Sequence, residues 1–140
     1  MQQQIAVITL AISDLARSKR FYADGFGWAP VFENDEIAFY QMNGFVLGTW
    51  LQAGLEADMQ RSGLSHPGAF ALAHNVATQG EVQPLLDRLA GAGGKILRIG
   101  DAPAHGGFRG YVADPDDHAW EIAWNPSWAI DGDGHVTFGV

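Results

Sequence analysis

The 140-residue sequence contains no cysteine, and only 17% of its residues are charged. Without cysteine the chain has no disulfide, no thiolate metal site and no cysteine nucleophile. The most apolar run near the start, residues 5–12, is far shorter than the roughly 20 residues that cross a bilayer. It also lacks the basic flank and cleavage site of a signal peptide, so we expect a cytoplasmic protein with no membrane partner.

Basic residues are scarce as well. There are 8 Lys and Arg against 16 Asp and Glu, which gives a formal net charge of −8. This balance argues against nucleic acid or an anionic membrane as partner, because both attract a positively charged surface. It permits a cationic ligand. Hydrophobic residues make up 47% of the chain, enough to bury a core in one domain of this length.

The first half of the chain, residues 4–52, predicts a strand, a helix and three further strands. The β-rich run at 5–12 is followed by Asp14, which is a favourable residue for a helix N-cap. Gly25 and Gly27 are expected to stop the helix. Turn residues separate the following strand-forming runs, and strands are predicted at 28–33, 37–41 and 45–51.

The second half, residues 68–126, repeats this order after a polar connector at 53–67. Thr78 and Glu81 have the spacing of a capping box at a helix start, and a Gly-Gly pair follows the last apolar residue of that helix. Strands are predicted at 70–76, 95–99, 108–113 and 119–124. The repeat predicts a single α+β domain of two βαβββ modules, with a curved mixed-sheet cup, helices on its outer face, and a tail at 127–140.

Three strands alternate between large and small side chains, which gives each strand one bulky face and one face of small residues. In the first strand Ile8, Leu10 and Ile12 would pack against the helix, and smaller residues would face the other way. A curved sheet has room for a ligand on such a face. Glu121 is the one ionisable residue among the small positions, which are Val7, Thr9, Ala11, Ala69, Ala71, Ala73, Ala119, Glu121 and Ala123. Alternatively, these faces pack against the other module or a dimer partner.

Two motifs resemble the vicinal oxygen chelate superfamily, which includes glyoxalases, bleomycin resistance proteins and extradiol dioxygenases. The stretch at 8–22, ITLAISDLARSKRFY, resembles the opening strand and helix of the family. The stretch at 114–122, DPDDHAWEI, resembles its closing turn and Glu-containing strand, with Asp117 in place of the usual glycine. The loop at 105–108 is also family-like, and the resemblance covers the chain to about Asn125.

The resemblance implies four metal-ligand positions, on the first, fourth, fifth and eighth strands. In this sequence they fall on Val7, on Leu47 or Gly48, on Ala69, and on Glu121. Only Glu121 supplies a ligand atom, and one carboxylate is too few to hold a divalent ion. We therefore predict no metal ligands and no cofactor. The resemblance also implies a homodimer, because such modules often complete their cups across a dimer.

Histidines outside these positions can be explained either as structural or exposed side chains or as functional residues. His105 lies in a Gly-rich loop, where it either rims the pocket as an acid or base or is simply exposed. His74 and His118 are expected to be structural. Asp131-Gly-Asp-Gly begins like a calcium loop, but the bidentate glutamate of such a loop does not follow, so it predicts a turn.

Aromatic residues are expected at the pocket. By alternation one of Phe39 and Tyr40 faces the cup, and Trp50 lies near its edge. Aromatic walls with one carboxylate suit a flat or cationic organic ligand.

These features predict a metal-independent protein that binds or sequesters a small organic molecule of cationic or aromatic character. The predicted binding residues are Val7, Thr9, Phe39, Trp50, Ala69, Ala71, His105 and Glu121. One alternative is a metal-dependent lyase or dioxygenase, which would polarise vicinal oxygens on an ion. Another is a metal-free enzyme with Glu121 as its catalytic base, since a carboxylate among alanine and valine side chains is poorly solvated.

Overall fold

Two repeats of one strand, a helix and three strands make up the fold in the computed structural model, which describes residues 1–139. The first module contains β1 (Val7–Ile12), α1 (Leu15–Phe21), β2 (Phe32–Glu33), β3 (Ile37–Gln41) and β4 (Val46–Leu51). The connector contains α2 (Gln52–Met59). The second module contains β5 (Leu72–Asn75), α3 (Val82–Gly91), β6 (Lys95–Asp101), β7 (Phe108–Ala113) and β8 (Ala119–Trp124). The tail forms β9 (Ala129–Ile130) and β10 (Val136–Thr137).

The first helix begins where its cap residue predicts. The Asp14 carboxylate accepts a 2.8 Å hydrogen bond from the backbone N–H of Arg17, which pairs one of the free amides of the first turn. After Phe21 the helix widens into a π-helical turn, which ends at Gly27 with a φ of +77°. The expectation that Gly25 also stops the helix is wrong, because Gly25 lies inside that turn. A Cβ there would lie 2.6 Å from Leu89 Cδ2, so Gly25 allows α3 to pack closely.

The predicted capping box precedes the second long helix. The backbone N–H and the hydroxyl of Thr78 each donate a 2.7 Å hydrogen bond to Glu81 Oε2. A short 3₁₀ turn at Gln79–Glu81 leads into α3, whose apolar side buries Val82, Leu86 and Leu89 completely. The buried stripe shows that α3 is held by packing against the sheet as well as by its cap.

The strands form two four-stranded sheets, in the orders β1-β4-β3-β2 and β5-β8-β7-β6. In each sheet the first and last strands of the module, β1 with β4 and β5 with β8, run parallel, and the other pairs are antiparallel. The predicted α+β fold of two βαβββ modules is therefore confirmed. Within residues 1–139, no strand pairing joins the two sheets, so the mixed sheet is divided at the module boundary.

One hydrophobic core spans both modules. The bulky faces of the strands pack against the helices, as the alternation predicts, and the π-helical turn after α1 packs against α3. At this contact Arg88 Nε donates a 2.8 Å hydrogen bond to the carbonyl oxygen of Asp24. The buried cluster includes Leu10, Phe21, Tyr22, Tyr40, Leu47, Leu86, Leu89, Trp120 and Ile122. Each sheet consequently has a helix-covered face and an opposite face, which we call the cup face.

Several element boundaries differ from the sequence-based expectation. The strand predicted at 28–33 is reduced to two residues, because Trp28 N–H donates to the carbonyl oxygen of Tyr22 and so continues the end of the helix. The strand predicted at 70–76 starts only at Leu72. Phe70 is 54% exposed, with its ring over Gly68, and does not reach the helix-covered face. None of the helices in residues 1–139 is both long and apolar enough to span a membrane.

The tail folds into a hairpin of its own. The Asp131 Oδ1 atom accepts 2.9 Å hydrogen bonds from the backbone N–H groups of Asp133 and His135, which closes the predicted turn. Asn43 Nδ2 donates a 2.8 Å hydrogen bond to the carbonyl oxygen of Asp133. The hairpin is thus attached to the turn between β3 and β4 and adds no strand to either four-stranded sheet.

Candidate functional site

The cup face of the first sheet carries small and aromatic residues side by side. A Cβ built on Gly48 would lie 3.1 Å from the Phe39 ring and 3.3 Å from Thr9 Oγ1, so these three residues share one face. Tyr40 points the other way and is only 1% exposed. The structure thus decides the ambiguity left by alternation: Phe39 faces the cup, and Tyr40 belongs to the core.

Trp50 lies on the same cup face, because it is two residues beyond Gly48 on β4. Its indole N–H donates a long, 3.5 Å hydrogen bond to Glu36 Oε2. The indole nitrogen also lies against Gly54 of α2, where a Cβ would come within 2.4 Å of that nitrogen and 3.2 Å of Glu36 Oε2. The Glu36 carboxylate and the helix that follows β4 therefore hold the orientation of the indole.

Glu121 lies on the cup face of the second sheet, in register with Ala73 on β5 and with Tyr111 on β7. Burial raises the pKa of the Tyr111 phenol, and the neighbouring Glu121 charge raises that pKa further. The phenol is therefore a neutral hydrogen-bond donor at physiological pH. Tyr111 was not predicted as a site residue from the sequence, although alternation along β7 indicates its orientation. Since Phe108, Gly110 and Val112 face the helix, Tyr111 faces the cup.

A row of charged residues continues this face away from Glu121. Arg98 on β6 makes a bidentate contact with Asp101, with Nη2 at 2.7 Å from Oδ2, and Arg109 on β7 pairs with the same carboxylate. The hydrogen bond from Arg98 is the main cause of the lowered pKa of Asp101. Arg109 is paired in register with Ala123, so this side of the cup face is polar and already hydrogen-bonded.

The remaining predicted residues lie in different settings. Val7 is at the start of β1 and is 47% exposed. Ala69 and Ala71 precede β5 in an exposed, irregular segment, so that Ala73 is the β5 residue in register with Glu121. His105 is exposed in the loop between β6 and β7. The predicted residues thus fall on two separate sheets and two loops.

His74 and His118, which we expected to be structural, both make contacts inside the fold. His118 is 8% exposed, and its Nε2 lies 2.7 Å from the carbonyl oxygen of Ala11, which links the start of β8 to the end of β1. His74 lies edge-on to the ring of Phe26, with centroids 5.6 Å apart. Burial lowers the pKa of His74.

Comparison with known families agrees with this architecture. The model of the glyoxalase/bleomycin resistance protein/dioxygenase superfamily matches residues 4–122, which include both modules as far as β8. The chain belongs to this superfamily. It is also similar to a glyoxalase-related enzyme from Fulvimarina pelagi, with 62% identity over 99% of this chain and 100% of that one, and a TM-score of 0.97.

More distant superfamily structures share the fold. A lactoylglutathione lyase from Agrobacterium tumefaciens is 18% identical, with 89% of this chain and 95% of that chain covered and a TM-score of 0.64. A genomically encoded fosfomycin resistance protein from Listeria monocytogenes is also 18% identical, with the same coverage of 89% and 95% and a TM-score of 0.69. At this level of identity the likeness concerns the fold alone.

The superfamily's metal positions can be tested against the donors that this chain provides. On β4 the cup-facing candidate is Gly48, whereas Leu47 is 1% exposed in the core. Val7, Gly48 and Ala69 have no donor side chain, and the nearby Thr9 hydroxyl is a weak, neutral ligand. One carboxylate, Glu121, does not make a divalent metal site, so the residues at these positions do not fit the ion.

Within residues 1–139, a single group of three or more His, Asp or Glu side chains has its ligand atoms within 4.8 Å of one another. It consists of Asp131, Asp133 and His135 in the exposed turn of the tail hairpin. Glu121 does not belong to this group, so any metal bound to the hairpin would be separable from the cup by mutation.

Proposed function

We propose that this superfamily member binds a small organic molecule on its cup faces without a metal ion. The observation that carries the proposal is the donor set, because Glu121 alone among the four ligand positions has a side chain that can coordinate metal. Small side chains at the other positions leave space where a metal site would have needed imidazoles or carboxylates. An apolar surface with few polar groups is typical of sites for organic ligands.

The side chains around the cup favour a flat, cationic ligand. Trp50 and Phe39 offer ring faces on one sheet, and Glu121 offers a negative charge on the other. A cation over an aromatic ring gains roughly 0.5–2 kcal/mol, depending on how dry the site is. The formal net charge of −8 adds a long-range attraction for cations.

We further propose that two copies of the chain complete the cup. The two cup faces lie on separate sheets, and a second copy could place the first-module face of one chain against the second-module face of the other. Val7 and Phe32 are 47% and 51% exposed on the first-module side, and association would cover them. Light scattering after gel filtration should give a dimer mass, and Phe32→Asp should shift it toward the monomer. A monomeric wild type would contradict this arrangement.

A direct test uses berberine, a flat aromatic cation, as the probe. We expect it to quench tryptophan fluorescence, with Glu121→Gln weakening its affinity about five- to thirtyfold, or roughly 1–2 kcal/mol. Asp58→Asn is the matched control, since it removes one negative charge from an exposed position on α2. Equal affinity in wild type and Glu121→Gln, or equal losses in both variants, would refute a role for Glu121.

Metal content tests the metal-free part of the proposal. The protein would be incubated with Zn, Ni, Mn and Fe(II), desalted, and measured by plasma mass spectrometry. Metal that disappears in Glu121→Gln would overturn the proposal. Metal that persists in Glu121→Gln but disappears in a variant with Asp131 and Asp133 both changed to Asn belongs to the hairpin and leaves the cup metal-free.

A second candidate function is favoured by the pairing of Glu121 with Tyr111. A carboxylate can remove a proton from a carbon acid while a neutral phenol donates a hydrogen bond to the developing negative oxygen. The similarity to a protein described as a glyoxalase-related enzyme supports this alternative. Proton NMR of small α-hydroxy ketones in D₂O would detect exchange at the carbon next to the carbonyl. Exchange that survives Glu121→Gln would exclude Glu121 as the base.

A further inference from the structure

A cavity lies at the junction of the two modules and the tail hairpin, and Ala73 is the one residue of the predicted small faces among the described residues that line it. It has a volume of about 580 Å³, is partly open to solvent, and is bordered by the β3–β4 turn, by β5 and by the tail hairpin. We call it the junction cavity, since both modules and the tail contribute to it. None of the eight predicted binding residues is among the described residues that line it.

The walls of the junction cavity are mainly apolar and aromatic. Leu47, Leu72 and Trp120 reach it from the helix-covered faces of the two sheets, and Trp28 adds a second indole. The Trp28 indole is stacked on Phe26, with centroids 4.2 Å apart and an interplanar angle of 10°. This stacking fixes the orientation of the indole, so the wall is preformed for a ligand with a ring.

Charge is missing from the lining. Among the described residues, the cavity is lined by no Lys, Arg, Asp or Glu, and its polar groups are amides and two histidines. His135 lies in the hairpin turn and is exposed, with Nδ1 at 3.1 Å from Asp131 Oδ2. His74 is more buried, and this burial lowers its pKa. A charged ligand would find no counter-ion inside the cavity and would lose its hydration.

The His74 ring is positioned to act as the polar anchor of the cavity. It lies edge-on to Phe26 and to Trp28, with centroid distances of 5.6 Å and 6.1 Å. These contacts hold the ring in place but use none of its hydrogen-bonding capacity. A neutral imidazole has one donor and one acceptor nitrogen, so it can bind a single polar group of an otherwise apolar molecule.

The tail hairpin supplies the outer wall. Ile130 and Val136 are cross-strand partners in the hairpin, and both line the cavity while remaining 36% and 46% exposed. The hairpin lies beyond residue 122, where the match to the superfamily model ends. One wall of the cavity is therefore built by a segment beyond the part of the chain that the superfamily model matches.

We propose that the junction cavity is a binding site for an uncharged, ring-containing organic molecule that forms one hydrogen bond with His74. The volume is within the range of drug-sized ligand sites, and the exposed apolar pair of the hairpin would be covered by the occupant. The site shares Ala73 with the cup face but contains neither Glu121 nor the aromatic residues Phe39 and Trp50 that carry the function proposed above, so either proposal can fail without the other.

The test uses N-phenyl-1-naphthylamine, an uncharged aromatic amine whose fluorescence rises in apolar surroundings, with the full-length protein. We expect saturable binding that Ile130→Asp weakens at least tenfold, because the new carboxylate would enter the apolar wall. Ala129→Asp is the matched control: it places the same charge on the preceding residue, which faces away from the cavity. Its affinity should stay within about twofold of wild type.

A second variant tests the anchor. His74→Phe keeps an aromatic ring against Phe26 and Trp28 but removes both nitrogens, and it should weaken the probe about three- to tenfold, the loss of one hydrogen bond. Circular dichroism would establish that each variant is folded. No saturable binding to wild type, or losses that are equal in Ile130→Asp and Ala129→Asp, would overturn the proposal.

Discussion

The Tyr22 hydroxyl donates a 2.7 Å hydrogen bond to Asp114 Oδ2, across the junction of the two modules. Asp114 Oδ1 accepts 2.9 Å bonds from the backbone N–H groups of Asp116 and His118. Tyr22 is fully buried and Asp114 is 3% exposed. Both oxygens of a buried carboxyl group are thus paired, and one pair joins the first helix to the turn before β8.

Removing this hydroxyl should destabilise the protein. Tyr22→Phe keeps the ring but leaves Asp114 Oδ2 without its partner in a buried position, which costs about 1–3 kcal/mol. Urea unfolding followed by circular dichroism would measure the change. A difference below about 0.5 kcal/mol would mean that the hydrogen bond contributes nothing net to the module junction.

The buried Tyr22 phenol also predicts that the protein loses stability at alkaline pH. Burial, followed by the Asp114 charge, holds the pKa of Tyr22 well above its usual value, so the native state keeps a proton that the unfolded chain releases near pH 10. The unfolded state then binds fewer protons, and stability falls as pH rises through about 10 and above. Thermal unfolding from pH 8 to 11 should show this fall, and Tyr22→Phe should reduce its slope. A slope unchanged in that variant would disagree with the burial of an un-ionised phenol.

In contrast to Tyr22→Phe, replacement of Tyr40 by Phe should not destabilise the protein at neutral pH. Its hydroxyl is buried with no hydrogen-bond partner in residues 1–139, and burial raises its pKa to about 12. Because Tyr40→Phe removes an unpaired polar atom, we expect unchanged or slightly greater stability, by up to about 1 kcal/mol. The variant should also flatten the loss of stability between pH 10 and 12. Destabilisation similar to that of Tyr22→Phe would show that the hydroxyl has a partner in solution.

Asp117→Gly should stabilise the closing turn. Asp117 has a φ of +66°, a left-handed conformation in which glycine carries no steric penalty. We expect a gain of up to about 1 kcal/mol, measured by thermal unfolding, because relief of strain outweighs the extra entropy of the unfolded chain. Asp117→Ala is the control and should destabilise. If alanine were tolerated as well as glycine, backbone strain would not be the cause.

Replacement by alanine should change the stability of the protein in opposite directions at Gly25 and Gly91. At Gly25 a Cβ would lie 2.6 Å from Leu89 Cδ2, so Gly25→Ala should cost about 1–3 kcal/mol by separating the first helical segment from α3. At Gly91, the last residue of α3, a Cβ would meet no atom of residues 1–139 within 4 Å. Gly91→Ala should therefore add about 0.5–1 kcal/mol through helix propensity. Similar effects in both variants would contradict close packing at Gly25.

Local features were predictable because their causes lie within a few residues. The Asp14 cap, the Thr78–Glu81 capping box and the strands at 37–41, 108–113 and 119–124 follow from short-range hydrogen bonds and from side-chain alternation. The order of elements and the family motifs then gave the two-module fold. Boundaries at 28–33 and 70–76 were less predictable, because a helix end and an aromatic–glycine contact competed with strand formation.

The candidate site was predictable only in part. Alternation identified the small face that carries Glu121, and it also contained the signal for Tyr111, which was overlooked. It could not assign Phe39 or Tyr40 to a face, nor choose between Leu47 and Gly48, because a period of two fixes relative directions but not which face meets the helices. That choice depends on packing against residues far away in sequence.

The sequence by itself determined the superfamily and the element order, and it predicted that three of the four metal-ligand positions implied by the resemblance have no donor, since these depend on residue identity and local pattern. Tertiary structure alone decided the division into two sheets, the Tyr22–Asp114 bond across the modules and the junction cavity. It also decided where the tail lies. The Tyr22–Asp114 and Asn43–Asp133 bonds join residues 92 and 90 positions apart, and contacts over such distances are set by the packing of the whole core.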